Sequence, residues 1–297
     1  MRQLSSRQAD LMLFFVAFFW GTGYTVTKIG LEVFSTVQLL FFRFLIASVV
    51  SLLIFNKNMR SMNKKDLKAG IVMGIFLSAG YIFQTFGLQG TTAGNSAFLT
   101  GTNVVMVPFF YWIVSKKRPG KNNLIAALLM FGGIILLTVD FENLSAFNVS
   151  DMLTFICSVA FACHIISTGI FAQDKDPYVI ATIQMSTCTI IFLVMMMFDK
   201  SSLVINAKGM ISMAYLSLVS TMLCFLIQTL GQKYTTSTHA AIILSLESVI
   251  GSIFAVVFLN EKYSPIMIFA FIIIFLSILI AEVGYDWILR GFRKNIQ

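Results

Sequence analysis

Almost the whole chain is occupied by apolar stretches, each long enough to cross a bilayer. About 20 apolar residues suffice for a helix to span the hydrocarbon core. The stretches run over about 11–30, 36–55, 67–89, 95–115, 122–139, 150–171, 178–198, 209–231, 238–259 and 264–284. With 58% hydrophobic and 11% charged residues in 297, no room is left for a separate soluble domain. The sequence therefore predicts an all-α polytopic membrane protein of about ten transmembrane helices, and its chemistry has to sit inside the bundle. The run after Asp10 is longer than the apolar core of a signal peptide and lacks a small-residue cleavage site, so it reads as a retained first helix.

The formal net charge of +8 follows topology. With the N-terminus placed in the cytoplasm, 15 Lys and Arg fall in inner segments and 4 in outer ones, Arg43 and Lys68 lying within helices. The positive-inside bias thus predicts a cell-membrane protein with both termini cytoplasmic. The loop carrying Asp140, Glu142 and Asp151 has no base and is expected outside. Basic charge so placed serves orientation and anionic inner-leaflet lipid, and argues against nucleic acid as a partner. The expected partners are the lipid bilayer and a small-molecule substrate; oligomeric state is not legible. Cys157, Cys163, Cys188 and Cys224 all fall within spans, where they read as small buried side chains. No cofactor or metal is called for.

The two halves align with each other. At an offset of 141, Asp10, Phe14, Thr27, Ile29 and Leu52 fall on Asp151, Phe155, Thr168, Ile170 and Leu193. After the second helix the offset is 144, and Gln84-Thr85-Phe86-Gly87 falls on Gln228-Thr229-Leu230-Gly231, with Thr91 and Thr92 on Thr235 and Thr236. Five helices per unit is an odd number, so the second unit enters the membrane from the opposite side. The expected units are residues 1–145 and 146–297, two inverted five-helix repeats, an arrangement that in transporters puts the substrate site near the midplane between repeats.

Several short motifs, in order, resemble the EamA-type branch of the drug/metabolite transporter superfamily. Phe19-Trp20-Gly21 is similar to its aromatic-Trp-Gly, and Arg43-Phe44 to its Arg-Phe. Ser245-Leu246-Glu247-Ser248-Val249 followed by Phe258-Leu259-Asn260-Glu261-Lys262 resembles Leu-Glu-Pro-Val, a small-residue helix and a terminal Gly-Glu. Ser248 stands for the usual proline and Asn260 for the usual glycine, while the first half carries its proline later, at Pro108; helix breaks are therefore expected to differ between halves. The resemblance implies a ten-helix exporter or importer of small metabolites.

Polar side chains in the bilayer core are costly, about 2.5–3.5 kcal/mol for a central Arg or Asp on insertion scales, and should face the bundle interior. Arg43 shares a stripe with Ala47 and Ser51; it either binds an anionic group or ties helices together through carbonyls or Glu247. Glu247 and its repeat mate Asn103 are two polar groups at equivalent midplane depth, suited to lining a site or, for Glu247, to coupling protons; a helix anchor paired with Arg43 is the alternative. Trp20 and Tyr24 share a face, as do Tyr81 and Gln84, and Gln228 repeats Gln84; each fits a cavity wall or helix packing. His164 is a titratable candidate or a hydrogen-bonded packing residue, and His239 reads as interfacial. Arg43, Asn103 and Glu247 are expected to border one central cavity with Trp20 and Tyr24.

No Gly-x-x-x-x-Gly-Lys-Ser/Thr loop is present, so ATP is not the chain's own energy source. Absence of Gly-x-Ser-x-Gly and His-Glu-x-x-His argues against an intramembrane hydrolase. The leading expectation is a secondary transporter moving an amino acid, related polar metabolite or drug by alternating access, as an exporter and with proton coupling. A channel, a non-transporting scaffold and an intramembrane enzyme are the rival classes.

Overall fold

The computed structural model describes residues 5–116, 118–138 and 148–283. Among these, all regular structure is helical. The long helices are α1 (Ser6–Leu31), α2 (Thr36–Ile54), α3 (Lys64–Gly90), α4 (Ala93–Ser115), α5 (Lys121–Thr138), α6 (Val149–Phe171), α7 (Pro177–Met196), α8 (Ala207–Gln232), α9 (Ser237–Leu259) and α10 (Pro265–Val283). Eight of them are long and apolar enough to cross a membrane; α5 and α10 hold shorter apolar stretches. Eight of the expected spans coincide with those eight helices, and the stretches at 122–139 and 264–284 fall on α5 and α10; several helices begin earlier than expected, because capping residues outside the apolar run start the helix. Ser5 with Gln8 and Ser35 with Gln38 form capping boxes on α1 and α2, and Asn63 with Asp66 does so on α3. Thr92, Asn148, Asp176, Asn206 and Thr236 cap five further helices. Asp151 is a correction to the sequence reading: it is a buried residue of the first turn of α6, held by Thr91, and not part of a loop. Asp140, Glu142 and the boundary at 145 lie outside the described residues.

Packing comes in exchanged pairs. The main partner of α3 is α6, and α8, which repeats α3, packs on α1, which repeats α6. Likewise α1 packs on α9 while α6 packs on α4, and the self-equivalent pairs α2 with α7 and α5 with α10 are in contact. Close approach is set by small residues. A Cβ on Gly74 of α3 would sit 2.5 Å from Thr187 Cβ and 2.8 Å from the Gln184 carbonyl of α7.

The halves differ in two places that matter. Helix α4 is interrupted at Thr102, between Ala93–Gly101 and Asn103–Ser115, and Pro108 follows inside its second piece; its counterpart α9 is continuous. Helix α8 is wound as a π-helix over Tyr215–Leu223, whereas α3 is α-helical throughout. Such wide turns are uncommon and recur at functional sites. One feature is shared. Lys116 and Asn260, equivalent at offset 144, end α4 and α9 in the left-handed region, at φ 60° and 53°. Asparagine adopts that conformation at low cost, which explains how Asn260 replaces a glycine.

Candidate functional site

A central cavity of about 590 Å³ of empty space, its mouth included, is bordered by residues from α1, α2, α3, α4, α6, α8 and α9. All nine side chains singled out in the sequence lie on its wall: Trp20, Tyr24, Arg43, Tyr81, Gln84, Asn103, His164, Gln228 and Glu247. Arg43 and Glu247 are 4% and 6% exposed.

Arg43 and Glu247 do not pair. Arg43 Nε donates to Thr221 Oγ1 at 2.5 Å, and Nη2 donates to Tyr81 Oη at 3.0 Å and Ser220 Oγ at 3.1 Å. The guanidinium carbon lies 4.5 Å from the centroid of the Tyr81 ring, a cation–π distance. Among the described residues, no hydrogen bond is made by Nη1. Glu247 Oε1 accepts a hydrogen bond from Tyr24 Oη at 3.3 Å, and Oε2 accepts none from the described residues. Of the two readings of Arg43, ties to helices are therefore present, but they run to hydroxyls of α3 and α8. The ion pairs among the described residues lie at helix ends, Lys208–Glu32 at 2.5 Å and His239–Asp10 at 3.1 Å; His239 is thus anchored to α1.

The π-helix explains how the Arg43 end is built. It turns the successive residues Ser220 and Thr221 toward one guanidinium, and its Ser220 carbonyl accepts from Trp20 Nε1 at 2.9 Å. Sequence reasoning missed Ser220 and Thr221; two hydroxyls in a row inside an apolar span were the available signal. Phe161 and Phe225 also border the cavity and were missed, since buried aromatics are common in any such bundle.

The remaining polar residues divide into satisfied and unsatisfied. Gln84 Nε2 donates to Tyr24 Oη at 3.2 Å and Thr100 Oγ1 at 3.3 Å. His164 Nε2 bonds Gln184 Oε1 at 2.8 Å, so the residue equivalent to Arg43 in the second half holds a histidine in place. Gln228 is fully buried, yet among the described residues neither amide atom finds a partner; Asn103 Oδ1 is also unpartnered there. Buried amides without partners are costly in a packed core, and in a cavity wall they are ligand donors and acceptors in waiting.

The EamA-like transporter family model matches this sequence twice, over residues 7–139 and 148–282. The chain belongs to the EamA-like transporter family. With that it joins the drug/metabolite transporter superfamily. An uncharacterized transporter of Archaeoglobus fulgidus is 32% identical over 92% of this chain and 85% of its own length. Another from the same organism is 24% identical over 86% and 90%, and the uncharacterized transporter YyaM of Bacillus subtilis is 25% identical over 81% and 82%. A solved crystal structure superposes with a TM-score of 0.69, covering 93% of this chain and 97% of that one at 16% identity, a likeness of fold alone. The EamA-like family and these relatives point to a multi-pass membrane transporter rather than an enzyme. The family motifs have local work here. Gly21 lets α1 meet α9, since a Cβ there would sit 2.7 Å from Ile250 Cβ. Ser248 donates to the Ala97 carbonyl at 2.9 Å, joining α9 to α4 where the family pattern has proline.

Proposed function

We propose that this EamA-like protein is a secondary carrier that moves a small polar metabolite, such as an amino acid, or a drug, across the cytoplasmic membrane by alternating access. In this reading ten helices form two inverted five-helix units, residues 1–145 and 146–297, with both termini in the cytoplasm. The observation that carries it is the convergence of seven helices on one cavity holding an arginine and a carboxylate that form no ion pair among the described residues, together with unpartnered amide atoms. The exchanged packing pairs supply the two similar half-structures that alternating access needs.

Glu247 is the coupling group in this account. A charged carboxylate in a low-dielectric cavity must be compensated, by a proton or by a cationic part of the cargo. Competition between the two couples export of cargo to proton entry. Flux into sealed proteoliposomes, screened with amino acids, sugars, nucleosides and cationic drugs, tests the proposal. Saturable, stereoselective flux supports a carrier, whereas linear flux would indicate a channel and product formation an enzyme. Glu247→Gln should keep exchange and lose proton-driven accumulation; unchanged accumulation removes the coupling role.

A further inference from the structure

Resting on the reading of the cavity as one that opens to each face in turn, we infer that Lys28 and Gln232 are its gate residues, each strapping two wall helices together at one end of the bundle and releasing in alternation. Both straps close on residues of the cavity wall. At one end Lys28 follows the wall residue Thr27 on α1. Its Nζ donates to the carbonyl of Leu88, a wall residue of α3, at 2.9 Å, and to that of Thr91. At the other end Gln232 stands one turn beyond the wall residue Gln228 on α8. Its Nε2 donates to the carbonyl of Ile165, a wall residue of α6, at 2.9 Å. Lys233 extends this strap, donating to the Lys175 carbonyl at 2.9 Å. The two ends are opposite ones. A Cβ on Gly231 would sit 3.1 Å from the Leu13 side chain and 3.6 Å from the Ala9 carbonyl, so Gln232 lies beside the start of α1. From residue 9 to residue 28 that helix rises about 28 Å at about 1.5 Å per residue, close to the thickness of a hydrocarbon core.

The straps sit at equivalent places and are built from different chemistry. Offset 144 carries Leu88 onto Gln232, and offset 141 carries Lys28 onto Gly169. Both equivalent carbonyls accept a side-chain donor: that of Leu88 from Lys28, and that of Gln232 from Gln173 Nε2, just past α6, at 3.2 Å. Gln173 Nε2 also donates to the Gly169 carbonyl at 3.2 Å. Position 169 has no room for a lysine, because a Cβ there would sit 2.0 Å from Ser237 Oγ. The donor therefore comes from α8 instead of α6. One strap is an ammonium on two carbonyls at a partly exposed position; the other is a fully buried amide. Neither strap contains an ion pair. Each is a small set of hydrogen bonds to main-chain carbonyls, so each can part and re-form without leaving a bare charge pair behind. The balance between them sets the face toward which the empty cavity opens.

The test uses the full-length protein with Asn103→Cys and the four native cysteines replaced, reacted with a membrane-impermeant maleimide in sealed vesicles of either orientation. The readout is the ratio of labelling rates from the Gln232 face and from the Lys28 face. Gln232→Leu, which installs the side chain of its repeat mate, should raise that ratio about fivefold, the weight of one hydrogen bond. Gln173→Met should raise it likewise and decides the matter where Gln232→Leu fails to fold. Lys28→Met removes two charge-assisted bonds and should lower the ratio about tenfold; Lys28→Arg keeps donors and should bring it back toward the parent value. Side chains that only stabilise the fold would lower the melting temperature and leave the ratio alone. A ratio that stays at the parent value in a folded Gln232→Leu or Gln173→Met protein, or that moves in the same direction for both straps, overturns the inference. Opposite shifts at the two straps alongside linear flux of every probe screened uphold the straps and sink the carrier reading; saturable flux with an unmoved ratio does the reverse.

Discussion

Glu261 holds the start of α4 from the far end of the chain. Its Oε1 accepts from the Ala93 amide at 2.7 Å and its Oε2 from the Gly94 amide at 3.2 Å, so the loop after α9 caps a helix of the first unit. Tyr263 closes the arrangement from the same loop, with burial and the neighbouring Glu261 carboxylate pushing its phenol above the usual range. Glu261→Ala removes both acceptors. Hydrogen bonds to a charged group contribute about 1.5–3 kcal/mol when buried, and a carboxylate at a helix N-terminus adds about 0.3–1 kcal/mol. Glu261 is partly exposed, so solvent screening takes the total below the sum of these ranges, to about 2 kcal/mol. At about 1.4 kcal/mol per factor of ten, the opening equilibrium of this helix start shifts roughly 30-fold. Hydrogen exchange of the peptide covering residues 92–97 in detergent-solubilised protein reads this directly. Protection there should fall by that factor while peptides from α2 and α7 keep theirs. Unchanged protection at Ala93 and Gly94, or an equal loss everywhere, refutes the local-cap reasoning.

Lys116 holds a left-handed conformation that costs a residue with a Cβ about 1–2 kcal/mol, partly offset in a glycine by a more disordered unfolded chain. Lys116→Gly should therefore raise the unfolding free energy by about 0.5–1 kcal/mol, read as a higher denaturation midpoint, while Asn260→Val should lower it. Gly74→Val places its Cβ against the backbone of α7, and overpacking of about 1–3 kcal/mol should appear as lost thermal stability. Asp199 is held below the usual carboxylate range by hydrogen bonds from Ser35 and Ser201. Its stabilising effect is present above the unfolded carboxylate value and is lost as pH falls through the lowered one. A pH series of melting temperatures should show wild type and Asp199→Asn differing near neutrality and converging in acid.

The helices were legible because a membrane span writes itself in length and apolarity, and the cavity wall because polar groups in such spans have nowhere else to go. Arg43, Asn103 and Glu247 stood out for that reason, and the repeat added Gln228 to Gln84. What the sequence did not disclose depended on backbone winding. Ser220 and Thr221 meet Arg43 through a π-helical stretch, and no side-chain pattern in Tyr215–Leu223 announces that winding. The alternative of an Arg43–Glu247 pair arose because depth along a helix is legible while the azimuth between α2 and α9 is not. Asp151 was misplaced in a loop because an acidic residue beside a cap reads as polar punctuation, whereas it is buried against Thr91.

The central claim is that the cavity opens to each side of the membrane in turn. A single cysteine at Asn103→Cys, with Cys157, Cys163, Cys188 and Cys224 replaced, tests it with a membrane-impermeant maleimide in sealed vesicles of either orientation. The account predicts labelling from both sides, and a ligand or mutation that raises labelling from one face must lower it from the other. Labelling from neither side, or from both sides rising together, contradicts it.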